Sequence, residues 1–325
     1  MKKILALVLA LMMCTLSLAV FTSCTETNVP QTGEQGNPKV ETEKEEYSVG
    51  ICQLMKHDSL DAATKGFSDA LTAKVEAAGK TVKINEQVAG EAALCTTVIN
   101  TFTANKVDLI MANATPALLA AAQATSTIPV LGTSVTDYND TFGGNIPANV
   151  TGTSDAVPFD EQAKMMIETL GLVEGDKVGV IYCTNESNSL IQFNAVKELF
   201  ENEGIVVTAY TFSETTELQA VVNKAAGESK AIYVPSDNTV AQNDTIVGSI
   251  CSEKNVPVFT SYGGSICYAS LAIDYYQLGY RTGEMAADIL LGNKLVSDFE
   301  VETLVPTVVY NNELCEALGI AVPEN

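Results

Sequence analysis

The sequence contains a single histidine, His57, and no CxxC pair or Cys/His cluster with zinc-ligand spacing. It also lacks a Walker loop, and no GxSxG motif follows a predicted strand. A Ser–His–Asp triad would have to use that one histidine. These absences argue against a zinc enzyme, a P-loop protein and a serine hydrolase with a nucleophile elbow. We predict no metal, no cofactor and no catalytic residue, although a hydrolase with two carboxylates remains an alternative.

Basic residues are also scarce: 18 Lys and Arg stand against 40 Asp and Glu, for a formal net charge of −22. Phosphate backbones are bound mainly through Lys and Arg. The charge therefore argues against nucleic acid, and against an anionic membrane face, as a partner. After the first 24 residues no apolar run approaches the roughly 20 residues needed to cross a bilayer. We predict a mature chain attached to the membrane only at its N-terminus.

Eight cysteines are present. Cys14 lies in the N-terminal apolar segment and Cys24 follows it. The other six fall in or beside predicted strands and helices, a pattern typical of small buried apolar side chains. One or two disulfides among them remain open.

The N-terminal segment has the layout of an export signal. Lys2 and Lys3 precede an almost wholly apolar stretch at 4–20, and small residues stand just before Cys24. This end resembles the lipobox of bacterial lipoproteins, although Phe21 stands where Leu is usual. We predict a lipoprotein signal peptide at 1–23, lipidation of Cys24 and an extracytoplasmic, membrane-anchored protein. An ordinary signal peptide or an uncleaved anchor is the alternative.

Residues 24–46 contain hardly an apolar side chain after the cysteine and are rich in Thr, Asn, Gln, Gly and Glu. Such a segment cannot bury enough surface to offset its ordering entropy, so we predict an acidic flexible tether. About 300 residues follow Cys24, which suits two domains of roughly 130 to 150 residues.

From residue 47 onward, apolar runs alternate with segments of helical periodicity. This alternation predicts parallel sheets covered by helices on both faces. The predicted strands are 47–54, 82–88, 107–112, 128–131, 177–182, 205–211, 231–234, 256–260 and 268–273. The predicted helices are 58–78, 91–104, 115–124, 162–170, 187–202, 214–226, 239–251, 275–291 and 313–318, with 299–310 extended.

Two such blocks meet where Gly, Ser and Pro cluster at 151–159. We predict an α/β protein of two Rossmann-like, doubly wound parallel-sheet lobes with a ligand cleft between them. Lobe 1 is predicted to comprise 47–157 plus about 268–298. Lobe 2 is predicted to comprise 158–267 plus about 299–325, because the last elements are left over once the second block ends.

Ligands of open parallel sheets bind beyond the carboxyl ends of the strands, and the loops there are rich in hydroxyls and amides. Several lead into helix N-termini, which suit a carboxylate, while nearby acids suit an ammonium. Together they predict a site for a zwitterion, with helix capping as the alternative for each residue. The candidates from this reasoning are Gln53, His57, Asn113, Ser134, Asp137, Asn185, Glu186, Ser236, Asp237, Asn238, Tyr262 and Asp274. For His57, a ligand contact or lid residue and an exposed loop residue or cap remain equal alternatives.

Several fragments together resemble a known family: 49–53 with 57–67, 106–110 with 114–117, 128–130 with 136–137, 150–155, and 274–279. They are similar to substrate-binding lipoproteins of ABC transporters of the tryptophan/tyrosine type, over about residues 47–310. The resemblance implies a type I periplasmic-binding-protein fold, a ligand of the aromatic amino acid class and an ABC permease as partner. By position it implies contacts from Thr115, Pro116, Thr136, Asp137, Ser154 and Asp274. Tyr138 departs from it, because many relatives have Pro after the Asp.

The leading prediction is therefore the extracytoplasmic solute receptor of an ABC importer, a monomer and not an enzyme. A sensory receptor of the same fold for a sugar or nucleoside is an alternative, and an exported hydrolase is another.

Overall fold

The structure, a computed structural model, describes residues 44–323. The predicted signal peptide, the predicted lipidation site at Cys24 and residues 24–43 of the predicted tether lie outside the described residues. Within 44–323, no helix is both long and apolar enough to cross a membrane.

Lobe 1 is built on a six-stranded parallel sheet in the order β11-β5-β4-β3-β1-β2. Its strands are β1 (Glu46–Gln53), β2 (Thr81–Val88), β3 (Leu109–Asn113), β4 (Val130–Val135), β5 (Val150–Ser154) and β11 (Glu302–Thr303). Its helices are α1 (Asp58–Ala77), α2 (Ala92–Ala104), α3 (Thr115–Ala124), α4 (Tyr138–Thr141) and α10 (Tyr275–Leu290). A 3-10 turn at Val296–Asp298 precedes β11.

Lobe 2 repeats this order as β12-β10-β9-β8-β6-β7, with only β12 antiparallel to its neighbour. Its strands are β6 (Lys177–Cys183), β7 (Val206–Phe212), β8 (Ala231–Val234), β9 (Val258–Thr260), β10 (Ala269–Ala272) and β12 (Thr307–Tyr310). Its helices are α5 (Phe159–Leu170), α6 (Ser187–Asn202), α7 (Thr215–Glu228), α8 (Asn238–Gln242), α9 (Asp244–Glu253) and α11 (Asn312–Leu318). The predicted pair of parallel-sheet α/β lobes is confirmed.

The apolar strand runs follow from burial on both faces of each sheet. All five residues of β3 are buried, and successive residues enter opposite cores. Ile110 and Ala112 pack beneath α2 and α3, whereas Leu109 and Met111 pack beneath α1 and α10. A strand covered on both sides has no solvent face and so needs no alternation of apolar and polar residues.

Strand β5 is buried along its whole length although its sequence is mostly hydroxyl and glycine. The hydroxyl of Thr153 contacts those of Thr133 at 3.1 Å and Thr282 at 2.8 Å. Mutual hydrogen bonds remove the penalty for burying these groups. The sequence pattern alone did not predict this strand.

Two of the three predicted points of crossing between the lobes differ from the structure, whereas the first, at 157/158, agrees with it. Strand β10 pairs with β9 in lobe 2, whereas β11 pairs with β5 in lobe 1. Tyr268 packs edge-on against Phe259 and secures β10, and Arg281 secures β11 through a two-pronged ion pair with Glu302 at 2.7 and 2.8 Å. The chain therefore crosses after β5, after β10 and after β11, rather than near residues 268 and 299.

Helices α1 and α10 lie unusually close together. A Cβ added at Gly279 would lie 1.9 Å from the carbonyl oxygen of Ala63, and one at Gly66 would lie 2.0 Å from that of Tyr276. These glycines let the two backbones touch, so that α10 lies beside α1 and the two helices together cover one face of the lobe 1 sheet. The pair also fixes the start of α10, which lies at the crossing from lobe 2.

The segment predicted as one helix at 239–251 is two helices. Asn243 breaks it with φ −119° and ψ 24°, and its amide donates to the Thr239 carbonyl at 2.8 Å. Such a side-chain bond to the backbone competes with helix continuation. All six cysteines from Cys52 onward are buried and unpaired.

Candidate functional site

The carboxyl ends of the two sheets face each other, and side chains from both lobes meet there directly. The ring Nε2 of His57 contacts the amide oxygen of Asn238 at 3.2 Å. Gln192 donates to the hydroxyl of Thr136 at 3.0 Å. These contacts join lobe 1 to lobe 2, so the lobes are closed against each other at this edge.

A small cavity of about 10 Å³, roughly the room that one water molecule needs, lies between these contacts. Its walls come from both lobes and from the crossing segments. They are formed by His57, Leu60, Ser134, Asp155, Ser236, Asp237, Asn238, Ala241, Tyr262 and Tyr275. Six of these ten residues are among the predicted site residues, because the strand ends of both lobes converge here.

Three polar atoms around this cavity are buried and lack a hydrogen-bond partner: Oδ1 of Asp155, the hydroxyl of Ser134 and the hydroxyl of Tyr262. Buried polar groups are almost always paired, and an unpaired one costs roughly 1–3 kcal/mol. One carboxylate acceptor and two hydroxyl donors are thus available to a ligand within a single enclosed space.

Asp155 occupies the crossing that follows β5. Its Oδ2 accepts a hydrogen bond from the Tyr275 hydroxyl at 2.8 Å, while Oδ1 is unpaired. Burial raises the pKa of Asp155, and hydrogen bonds from Tyr275 and Thr136 offset part of that rise. A cation placed at Oδ1 would stabilise the carboxylate form and lower this pKa.

The backbone is strained where two strands of lobe 1 end at the cleft. Ser134 has φ +55°, and Ala114, which precedes α3, has φ +90°. Non-glycine residues rarely adopt positive φ, and such strain is common in ligand sites, where the surrounding structure imposes it. Ser134 thus combines a strained backbone with one of the two unpaired hydroxyls of the cavity.

His57 lies at the start of α1 but makes no side-chain cap there. Its ring instead reaches Asn238 across the cleft. Burial lowers the pKa of His57, which favours the neutral ring, against the opposing influence of Asn238, Glu186, Asp61 and Asp58. The partly buried ring is thus neither an exposed loop side chain nor a side-chain cap of α1, and its role as a ligand contact or lid residue stays a prediction.

The Glu186 carboxylate is fully occupied within lobe 2. It accepts from the backbone and side chain of Asn238, at 2.8 and 2.6 Å, and from the backbone and hydroxyl of Thr239, at 2.8 and 2.7 Å. Four donors to one carboxylate leave no site for an ammonium. Glu186 therefore fixes the loop that carries Asn238.

Asp237 is occupied in the same way. It accepts from the backbone N–H of Cys183 at 2.7 Å, the hydroxyl of Ser189 at 2.8 Å and the backbone N–H of Val240 at 2.9 Å. Burial, and then the nearby Glu186, raise the pKa of Asp237. The capping alternative describes this residue, which begins α8.

Two further predicted acids are also helix caps. Asp137 accepts from the backbone N–H of Asp140 at 2.9 Å, and the exposed Asp274 accepts from that of Gln277 at 3.0 Å. Neither lines the cavity. Capping with Asp is a common way to satisfy free N–H groups at a helix start.

The remaining predicted residues lie around the cavity rather than in its wall. Gln53 and Asn113 bond within lobe 1 to α1, and Ser154 donates to the Thr136 carbonyl at 2.7 Å. Thr115 is buried at the start of α3. Pro116, Asn185 and Glu186 line a separate groove of about 380 Å³, whose walls come from both lobes.

Sequence reasoning did not select Asp155, Tyr275, Leu60, Ala241 or Gln192. The signal for Asp155 was its place after β5, but that strand lacks the apolar run by which strands were recognised. Tyr275 is next to the predicted Asp274, and only the start of α10 in three dimensions turns it inward. Among residues 44–323, no group of three or more Cys, His, Asp or Glu could hold a metal ion.

Comparison with known proteins identifies the family. A family model described as ABC transporter substrate binding protein matches residues 48–325. The chain belongs to this family. It is thus a substrate receptor that works with a permease, rather than an enzyme, and the type I periplasmic-binding-protein fold implied by the sequence fragments is confirmed.

Two individual proteins are similar to this chain over almost their whole length. The chain is 34% identical to a tyrosine-binding protein of Clostridioides difficile (strain R20291), over 98% of this chain and 93% of that protein. It is 29% identical to an ABC domain from Streptococcus pneumonia solved in complex with L-Trp, with a TM-score of 0.78 over 86% of this chain and 96% of that one.

A ligand-free, open structure of a substrate-binding protein with adhesive properties from Clostridium difficile is 33% identical. The superposition covers 86% of this chain and 97% of that protein, but the TM-score is only 0.64. The more similar sequence thus gives the poorer superposition. This is the result expected if the lobes of the present chain are closed, as the contacts across the cleft indicate.

Proposed function

We propose that this receptor binds a free aromatic amino acid between its lobes, at the site of this cavity, and delivers it to the permease. Only about 10 Å³ is open there in the closed arrangement, so the lobes separate to admit the ligand. The observation that carries the proposal is the unpaired Oδ1 of Asp155, which faces the same cavity as the unpaired hydroxyls of Ser134 and Tyr262. A buried carboxylate with a free oxygen is complementary to an ammonium, and hydroxyl donors are complementary to a carboxylate.

The ligand's ammonium pairs with Asp155, which Tyr275 holds in place through the other oxygen. Its carboxylate accepts from Ser134 and Tyr262. Apolar surface from Leu60, Tyr262 and Tyr275 surrounds these polar groups and suits an aromatic side chain. The tyrosine-binding relative and the L-Trp complex support this ligand class.

Closure of the lobes strengthens these bonds. Charge-assisted hydrogen bonds are stronger where water is excluded, and the cavity is enclosed by both lobes. A ligand that binds groups of both lobes favours the closed arrangement by its differential affinity. The closed arrangement would thus distinguish the ligand-bound receptor from the unliganded one when it meets the permease.

Calorimetric titration with the twenty amino acids tests the proposal. We expect one-to-one binding of Tyr, Trp or Phe, and little or none of Asp, Lys or Gly. Galactose, ribose and a nucleoside serve as controls for the other ligand class weighed for this fold. Binding of a sugar or nucleoside with no response to any amino acid would overturn the assignment.

Replacing Tyr262 with Phe is expected to weaken amino acid binding by about five- to tenfold, because one donor to the ligand carboxylate is lost. The free energy of unfolding of the unliganded protein should stay the same or rise, since the hydroxyl has no partner in the protein. Calorimetry and urea unfolding measure the two quantities.

Tyr233→Phe is the matched control. The Tyr233 hydroxyl donates to Gln162 at 2.7 Å deep inside lobe 2. Its loss should reduce the unfolding free energy by about 1–2 kcal/mol and leave affinity within twofold. If Tyr262→Phe behaves like Tyr233→Phe, the Tyr262 hydroxyl is not a ligand donor.

We also propose that the receptor is extracytoplasmic and anchored through lipid on Cys24, by its position after the predicted signal. Growth with a labelled fatty acid should label the wild-type chain, and Cys24→Ser should abolish the label. Cys52→Ser, which changes a cysteine buried in the fold, should keep it. Equal labelling of the wild type and Cys24→Ser would refute the anchor.

A further inference from the structure

The side chain of Gln192 bridges the two lobes. It lies on α6 of lobe 2 and is only 1% exposed. Its Oε1 accepts from the backbone N–H of Ser236 at 2.9 Å, within lobe 2. Its Nε2 donates to the hydroxyl of Thr136 at 3.0 Å, in lobe 1. One carboxamide thus satisfies both its donor and its acceptor, one on each side of the cleft.

Two other side-chain hydrogen bonds of 3.5 Å or less join the lobes within residues 44–323. His57 contacts Asn238 at 3.2 Å, and the partly exposed Gln242 reaches the carbonyl of Lys56 at 3.5 Å. The Gln192 bond is shorter and wholly buried. A buried bond competes least with water, so it contributes most to holding the lobes together.

Both partners of Gln192 adjoin the ligand cavity, but Gln192 itself does not line it. Ser236 forms part of the cavity wall. Thr136 is a hydrogen-bonding neighbour of Asp155 and helps to lower its pKa. Gln192 therefore joins the two walls of the site without lining the cavity itself.

We propose that Gln192 is a positioning residue that sets the receptor's ligand affinity and residence time by holding the lobes closed, without touching the ligand. The inference rests on the proposed function, since it concerns the same site. Apparent affinity scales with the fraction of molecules in the binding-competent state. Loss of a bond made only on closure reduces that fraction and leaves the ligand's own contacts unchanged.

Gln162 provides a matched control. It is also a fully buried glutamine whose carboxamide has partners at both ends, but all of them lie in lobe 2. It donates to Ser261 at 3.2 Å and to the Leu271 carbonyl at 2.8 Å, and it accepts from Tyr233 at 2.7 Å. Gln162→Met and Gln192→Met thus remove equivalent groups, one from within a lobe and one from between the lobes.

Titration of the bound amino acid should show about tenfold weaker binding for Gln192→Met, mainly through faster dissociation in stopped-flow. Gln162→Met should lower the midpoint of thermal unfolding but keep affinity within twofold. Small-angle scattering of the unliganded proteins should give a larger radius of gyration for Gln192→Met than for wild type or Gln162→Met.

Gln192→Asn keeps a carboxamide on a side chain that is one methylene shorter and cannot reach both Ser236 and Thr136, so it should reproduce the loss of affinity even if the methionine variant folds poorly. Unchanged affinity in Gln192→Asn, or an equal loss in Gln162→Met, would overturn the proposal. If the wild type binds no amino acid, the proposed function fails, but the scattering comparison still decides whether Gln192 holds the lobes closed.

Discussion

Replacing Asp155 with Asn is expected to weaken amino acid binding by at least about 100-fold, or roughly 3 kcal/mol. The asparagine side chain would keep the shape of the aspartate and an acceptor for the Tyr275 hydroxyl, which bonds to Oδ2 in the wild type at 2.8 Å. It would lose the negative charge that neutralises the ligand's ammonium. In an enclosed cavity an uncompensated ammonium is strongly disfavoured, which explains the size of the effect.

Calorimetry of purified Asp155→Asn measures the loss directly. Asp274→Asn is the control, because Asp274 is exposed, lies outside the cavity wall and caps a helix, a role that Asn performs equally well. We expect the control to bind within twofold of the wild type. If Asp155→Asn does the same, the ammonium is bound elsewhere.

The raised pKa of Asp155 also predicts a pH dependence. A carboxyl whose pKa is higher in the folded than in the unfolded state reduces the stability of the unliganded fold as the pH rises through that interval. The ligand's ammonium has the opposite effect, since it lowers the pKa of Asp155. Binding should therefore release protons in this interval, and affinity should fall as the pH drops through the raised pKa. Titrations in buffers of different ionisation enthalpy detect this release.

The second large effect concerns the fold. Gly279→Ala should lower the free energy of unfolding by about 3 kcal/mol or more, because the new Cβ would lie 1.9 Å from the Ala63 carbonyl oxygen. The obstructing atom is backbone and cannot swing aside. Relief requires α10 to move away from α1, which would also displace Tyr275 at the start of α10. Urea unfolding measures the loss of stability.

Gly227→Ala supplies the contrast. Gly227 lies in α7, and a Cβ there would meet nothing within 4 Å. Alanine should raise the unfolding free energy by about 0.5–1 kcal/mol, because it restricts the unfolded chain and favours the helix. Similar values for the two substitutions would mean that the α1–α10 contact tolerates a methyl group.

The sequence predicted most of the architecture because the two sheets are buried on both faces. Their apolar runs are therefore visible without knowledge of the fold, as in β3 and β6. The crossings were not predictable in the same way. Strands β10 and β11 are short, and their sheet is decided by distant partners such as Phe259 and Arg281.

The location of the site was predictable from the sequence, but the role of each residue in it was not. Strand ends led to His57, Ser134 and Tyr262, because parallel sheets gather such loops at one edge. The sequence pattern could not show which acidic residue keeps a carboxylate oxygen without a hydrogen-bond partner. Asp237 and Asp155 are both buried acids beside the cavity, and only the count of N–H and hydroxyl donors around each separates a structural carboxylate from a vacant one.

Because the chain crosses between the lobes three times, lobe 1 is completed only late in synthesis. Helix α10 covers the face of the lobe 1 sheet that carries Val49, Leu109 and Met111, and it follows all the helices of lobe 2 except α11. That apolar face is therefore covered only in part, by α1, until most of the polypeptide has been made. We expect a chain that completes its first lobe late to stay incompletely folded for longer, which suits the export that we propose for this receptor, because a membrane translocon passes unfolded polypeptide.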